Sequence, residues 1–144
     1  MIDRIFSDPA MNVLRQALGA STLTHETIAH NLANVDTPGY KRSEVIFQDK
    51  LASALRQIEE SSSSLRGART DPAHIPINEP APLETVKPGV VVRAETSLRP
   101  DGNNVDIDSE MTKLSQNMLV YQSLTQLVGS KLARLRTAIS EGRQ

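Results

Sequence analysis

The sequence contains no cysteine and no tryptophan, and its two Phe and two Tyr make aromatics only 3% of the chain. Without thiols there are no disulfides and no thiolate metal sites, although this does not fix the compartment. Large rings supply much of the buried area of compact cores, so their scarcity points instead to helix-on-helix packing through Leu, Ile, Met and Ala. Excess charge of either sign is missing too, since 16 basic and 17 acidic residues give a net charge of −1 without a basic block. Neither nucleic acid nor an anionic membrane surface is therefore expected as a partner. No apolar run approaches the length of a bilayer span, and the N-terminus lacks the basic, apolar and small-residue regions of a secretory signal. No direct membrane insertion and no cleaved signal peptide are expected.

What the chain does have is helical periodicity at both ends, within a length of 144 residues that allows one domain. From Ile107 the apolar positions Met111, Leu114, Met118, Tyr121, Val128, Leu132, Leu135 and Ile139 alternate steps of four and three, with only Thr125 interrupting. This is a coiled-coil seam, and a helix over residues 107–139 would be ~50 Å long. Asp106 or Asp108 is its expected cap, Lys131, Arg134 and Arg136 suit its C-terminal end, and Gly142 is its expected stop. A second seam, Met11, Leu14, Leu18, Ser21, His25, Ile28, Leu32 and Val35, follows the helix start Ser7-Asp8-Pro9 and the small apolar cluster Ile2, Ile5 and Phe6. Gly19 and the threonines at 22, 24 and 27 weaken this helix, so its stability must come from a partner.

Between the seams the pattern changes. Residues 34–40, Asn34-Val35-Asp36-Thr37-Pro38-Gly39-Tyr40, stop the first helix, and Pro38-Gly39 fits the centre of a type II turn. Val45, Phe47, Leu51, Leu55 and Ile58 predict a shorter amphipathic helix over residues 47–60, ended by the serines 61–64. Most of the eight prolines lie between Pro72 and Pro100. Val86, Val90, Val91 and Val92 around Pro88-Gly89 predict a short hairpin or an extended arm limited to a sheet edge. The expected fold is mainly α: an elongated, coiled-coil-like pair of long terminal helices, a short third helix and an extended Pro-rich arm. Residues 1–40 and 106–144 would form one inner helical domain, residues 41–64 the short helix and linker, and residues 65–105 the extended or flexible arm.

Candidate chemistry is sparse. His25 and His30 are five residues apart, which turns the second ring ~140° from the first, so one regular helix cannot present both to one metal. The acidic series Asp101, Asp106, Asp108 and Glu110 does not fit a calcium loop, because a register starting at Asp101 has Val105 at its fifth position. A capped helix start explains it better. There is no glycine-rich phosphate loop, and His74 has no nucleophile beside it. Neither an enzyme nor a cofactor is expected. The surplus lies in the long helix, where Val120, Leu124 and Leu127 form a second apolar row ~110° from the seam, beside Leu119. One partner helix covers one row only, so Val120, Leu124 and Leu127 are expected to be intersubunit residues. Head-to-tail contacts that do not close into a ring would give a helical filament or tube.

Residues 31–42, Asn31-Leu32-Ala33-Asn34-Val35-Asp36-Thr37-Pro38-Gly39-Tyr40-Lys41-Arg42, resemble the N-terminal signature of the bacterial flagellar rod and hook proteins. Thr70-Asp71-Pro72-Ala73-His74-Ile75-Pro76 and residues 101–110 are similar to those of the proximal rod members, as is Tyr121-Gln122. The motif residues are Asn31, Asn34, Asp36, Thr37, Pro38, Gly39 and Tyr40. The resemblance implies a structural subunit that leaves the cell through the flagellar type III export apparatus without a cleaved signal. It further implies a place in the periplasmic rod of the basal body, a helical tube transmitting torque from the membrane ring to the hook. The implied partners are like subunits, other rod proteins, and the membrane-ring and adaptor proteins. In such a tube Leu14, Leu18, Ile28 and Leu32 would meet Met111, Leu114, Met118, Tyr121, Val128, Leu132 and Leu135 as the helix-pair seam. The helices alone equally allow a soluble coiled-coil adaptor or an export chaperone, but neither has need of the turn at residues 34–40.

Overall fold

The computed structural model describes residues 8–63, 86–94 and 99–141. Helix α1 spans Pro9–Ala33, and its start is the predicted one: Asp8 caps it by accepting from the Ala10 amide at 3.0 Å, with proline at the first position. Asn34 closes the other end. The threonines spend their hydroxyls inside the helix, donating to the carbonyls of Leu18, Ala20 and Leu23. Such bonds satisfy the side chains but add no helix stability, so α1 depends on its neighbours.

Three further elements precede the long C-terminal helix α3, Ile107–Glu141: strand β1, Ser43–Ile46, helix α2, Gln48–Ser63, and strand β2, Gly89–Val92. Strands β1 and β2 pair antiparallel, from Ser43 opposite Val92 to Ile46 opposite Gly89. This corrects the hairpin expected around Pro88-Gly89. Those residues begin the strand, and its partner lies more than 40 residues earlier in the chain. Proline has no amide hydrogen to give a ladder, so pairing runs from Gly89 onward. The contact Arg93 N to Arg42 O, 2.9 Å, extends it by one step. The Phe47 side chain, at the β1–α2 junction, packs with Ala20, Ala54 and Val86, flanked by Ala17, Val45 and Leu51. Alanines at 17 and 20 let this unit approach α1 closely.

Helices α1 and α3 lie antiparallel. Polar contacts join them at three levels: Asp8 to Lys131, Ser21 to Asn117, and Asn31 to Glu110. The burial pattern inverts the usual one. The largest fully buried side chains are Glu110, Asn31 and Asn103, whereas Met111, Met118, Leu119, Leu127 and Leu132 are exposed. Buried polar groups that find partners cost little, but exposed large apolar side chains gain nothing from folding the single chain. What holds this subunit together is thus largely hydrogen bonding around a few apolar contacts. Ile2, Ile5, Phe6, residues 70–76 and Gly142 lie outside the described residues.

Candidate functional site: a polar clasp and an uncovered apolar row

Two segments some 60 residues apart in sequence interlock where α1 ends and α3 begins. Thr37 O accepts from the Tyr40 amide at 3.3 Å, and Gly39 between them has φ 73°. That is the turn expected of Pro38-Gly39, with glycine where φ is positive. Residues 99–102 turn as well, the Gly102 amide donating to Arg99 O at 3.1 Å, with φ 76° at Gly102. The two glycines sit against each other, and the Gly39 amide donates to Asp101 O at 2.9 Å.

Asn103 is the centre of the clasp. Its amide nitrogen donates to the carbonyls of Asn34, Val35 and Thr37, each at 2.9 Å, while its Oδ1 accepts from the Val105 amide at 2.7 Å. The carbonyls left free at a helix end need outside donors, and Asn103 supplies one from the other half of the chain. Asn104 does the same for the sheet, accepting from the Arg42 amide at 2.7 Å and donating to Arg93 O at 2.8 Å. Lys41 Nζ donates to Gly102 O at 2.7 Å.

Asn31, fully buried, ties the clasp to both helices and to β1. It donates to Ser43 O at 2.8 Å and to Glu110 at 2.9 Å, and its Oδ1 accepts from the Ser43 amide and the Tyr40 hydroxyl. Glu110 is only 2% exposed and also accepts from Lys113 at 2.7 Å, with the Arg42 guanidinium 4.0 Å away. A buried carboxyl group at this depth requires such partners. Asp106 heads α3, its Oδ1 accepting from the Asp108 amide at 3.0 Å.

Of the motif residues, Asn31, Asn34, Thr37, Pro38, Gly39 and Tyr40 all belong to this clasp or its turn; Asp36 is exposed beside it. Gly39→Ala has open space for the added methyl group, so its cost is the positive φ. With Pro38→Ala removing the preset backbone angle, the double variant is expected to lose about 2 kcal/mol and to assemble poorly because the chain after α1 is misdirected. An unchanged melting temperature would contradict this.

The other expected residues fall into two groups. Ile28 is buried, and Leu14, Leu18, Leu32, Leu114, Val128 and Leu135 are half-buried, whereas Met111, Met118, Tyr121 and Leu132 are between 43% and 55% exposed. Val120 and Leu127 are exposed in the single chain, whereas Leu124 is half-buried. It stands seven residues from both Asn117 and Lys131, on the stripe that faces α1. Asn117 has no place in either apolar seam of the sequence, and Glu110 enters there only as a residue of the capped helix start. The available signal was the seven-residue spacing of Glu110, Asn117, Leu124 and Lys131, one position ahead of the apolar seam. His25 and His30 are exposed on α1, and among the described residues no group of acidic or histidine side chains could hold a metal.

Two carboxyl groups at the margins are held below their ordinary range: Asp8, chiefly by its hydrogen bond with Lys131, and Glu44, chiefly by its bond from Arg93. A lowered folded-state value means that the stabilising contribution is present above the unfolded value and is lost as pH falls through the folded one. As far as these groups act, the melting temperature is expected to be flat from neutral to about pH 5 and to fall in stronger acid. Glu44→Gln should remove part of that acid slope, and an acid slope unchanged in Glu44→Gln would contradict the assignment.

The family model for "Flagella basal body rod protein" matches residues 11–41, which are α1 and the turn after it. Relatives extend the match over almost the whole chain. The chain is 34% identical to the flagellar basal body rod protein FlgB of Bacillus subtilis, over 96% of this chain and 98% of that one. With the protein of the same name from Borrelia hermsii it shares 36% identity over 82% and 86% of the two chains. With that from Salmonella typhimurium it shares 30% over 99% of each. Helix pair, clasp and relatives together define a structural subunit of the flagellar basal body rod. The chain belongs to the FlgB family of these rod proteins.

Proposed function

We propose that this chain is a subunit of the proximal part of the rod, built into a helical tube that transmits torque from the membrane ring to the hook. The observation that carries this reading is the face of α3 left uncovered within the subunit. Leu119 is 65% exposed and Leu127 54%, in a helix whose residues 114–130 include no charged side chain. A stretch of this kind is fitted for burial against neighbours on more than one side, and contacts that do not close on themselves propagate as a tube. Copies of this chain and other rod proteins would cover the face, with membrane-ring and adaptor proteins below. The role is mechanical and requires no catalysis. Export by the flagellar type III apparatus to the periplasm belongs to the same reading, and no described helix is long and apolar enough to cross a membrane.

The test is a deletion strain complemented with a tagged copy of the chain. Purified basal bodies should contain the tagged protein with its N-terminus intact, and swimming should return. A tagged protein confined to the cytoplasm, or basal bodies without it, would defeat the proposal.

A further inference from the structure

We propose that the Ser21–Asn117 pair is a rotational lock, which decides which face of α3 is turned outward. Two alternatives compete for the position opposite α1. The apolar heptads offer the row Met111, Met118, Thr125 and Leu132 together with Leu114, Val128 and Leu135. In the structure Leu114, Val128 and Leu135 stay half-buried, although Tyr121 of the same row is 43% exposed, and the first row is replaced by Glu110, Asn117, Leu124 and Lys131, each one residue earlier. A step of one residue is ~100°, so the midline of the covered stripe moves by half of that, ~50°.

The apolar content of the two rows points the other way. Facing α1 with Met111, Met118 and Leu132 would bury more apolar area than facing it with Glu110, Asn117 and Lys131. Something must offset that preference, and the polar contacts supply it. Asn117 and Ser21 bind reciprocally: the Ser21 hydroxyl donates to Asn117 Oδ1 at 2.8 Å, and Asn117 Nδ2 donates to Ser21 O at 2.9 Å. Ser21 is 5% exposed, so turning α3 by ~50° would bury its hydroxyl without this partner. The rungs at either end, Asn31–Glu110 and Asp8–Lys131, hold the same setting. The closest analogue is a polar residue in a coiled-coil seam, which fixes register and gives up some stability to do so. The lock thus keeps Met111, Met118 and Leu132 available outside the subunit. It depends on the rod reading only for the use to which that outward row is put.

The chain's lack of cysteine makes the test direct. Met118→Cys and Leu124→Cys are made singly in the full-length chain, and thiol labelling rates are compared, with helicity followed by circular dichroism. In the otherwise native chain the thiol at position 118 is expected to react several-fold faster than that at 124. Adding Ser21→Ala with Asn117→Leu should retain helicity and bring the two rates closer together, the rungs at either end limiting the turn. The exchange Ser21→Asn with Asn117→Ser, which keeps a polar pair, should restore the native ratio. A ratio unmoved by the apolar pair would overturn the proposal, as would equal rates in the native background. Loss of helicity in the apolar pair would also overturn it, because the contact would then be a source of stability and not a selector of face. None of these readouts involves motility, so failure here is distinguishable from failure of the rod assignment.

Discussion

Asn103→Asp is expected to open the clasp and to lower stability by about 3 kcal/mol, or about 10 °C in melting temperature. The substitution keeps the shape of the side chain and inverts its chemistry. The buried nitrogen now donates to three carbonyls at 2.9 Å; an aspartate would place an oxygen there, without a hydrogen and with a charge. The Val105 amide would keep its acceptor, so the loss comes chiefly from the three-carbonyl contact and from the charge buried beside it. Asn103→Ala removes both functions and leaves the same carbonyls without that donor. Because α1 and α3 are joined at this end through Asn31 and Glu110 as well, the subunit is expected to remain helical but to become protease-sensitive around residues 34–43 and 99–106. Thermal melts and limited proteolysis check this, and a melting temperature within a degree or two of the native protein would contradict it.

The expected starts of the two long helices and the stop of the first come from local chemistry, and they agree with the structure for that reason. Asp8 before Pro9 and the run Thr37-Pro38-Gly39 constrain only their own backbone, so no distant partner can overrule them. The seam was a different kind of inference. Periodicity identifies an apolar stripe but not what covers it, and the stripe of α3 that faces α1 is displaced toward Asn117 and Glu110. The reason is a pairwise contact with Ser21 and Asn31, residues more than 75 positions away, which single-sequence patterning cannot see. The same holds for residues 86–94 and 99–105, where Pro88 and Gly89 suggest a local hairpin. The ladder of Gly89–Val92 and the long-range hydrogen bonds of Asn103 and Asn104 go instead to residues 34–46. The turn motif was legible as a turn; that Asn103 fills its carbonyls was not, because asparagine at a turn ordinarily serves its own backbone.

Leu127→Asp is expected to abolish swimming while leaving the subunit folded, and Leu124→Asp to act differently although it stands only three residues away. Leu127 is 54% exposed on α3, so an aspartate there meets water in the free subunit and costs little beyond helix propensity. In the assembled rod the same carboxylate would be buried against an apolar neighbour, and the one cation a helical turn away on α3, Lys131, is already paired with Asp8, a penalty of several kcal/mol per contact. Repeated at every subunit, that is enough to prevent assembly. Leu124 instead lies on the stripe with Asn117 and Lys131, so Leu124→Asp should weaken the α1–α3 pair itself and lower the melting temperature before assembly is reached. The two variants therefore separate along two measurements, helicity of the purified chain and rod content of basal bodies. Leu127→Asp should fail only the second, and Leu124→Asp should fail both. Normal motility in Leu127→Asp would mean that this row is not covered in the rod, whereas a folded, assembly-deficient Leu124→Asp would mean that the stripe facing α1 is also shared between subunits.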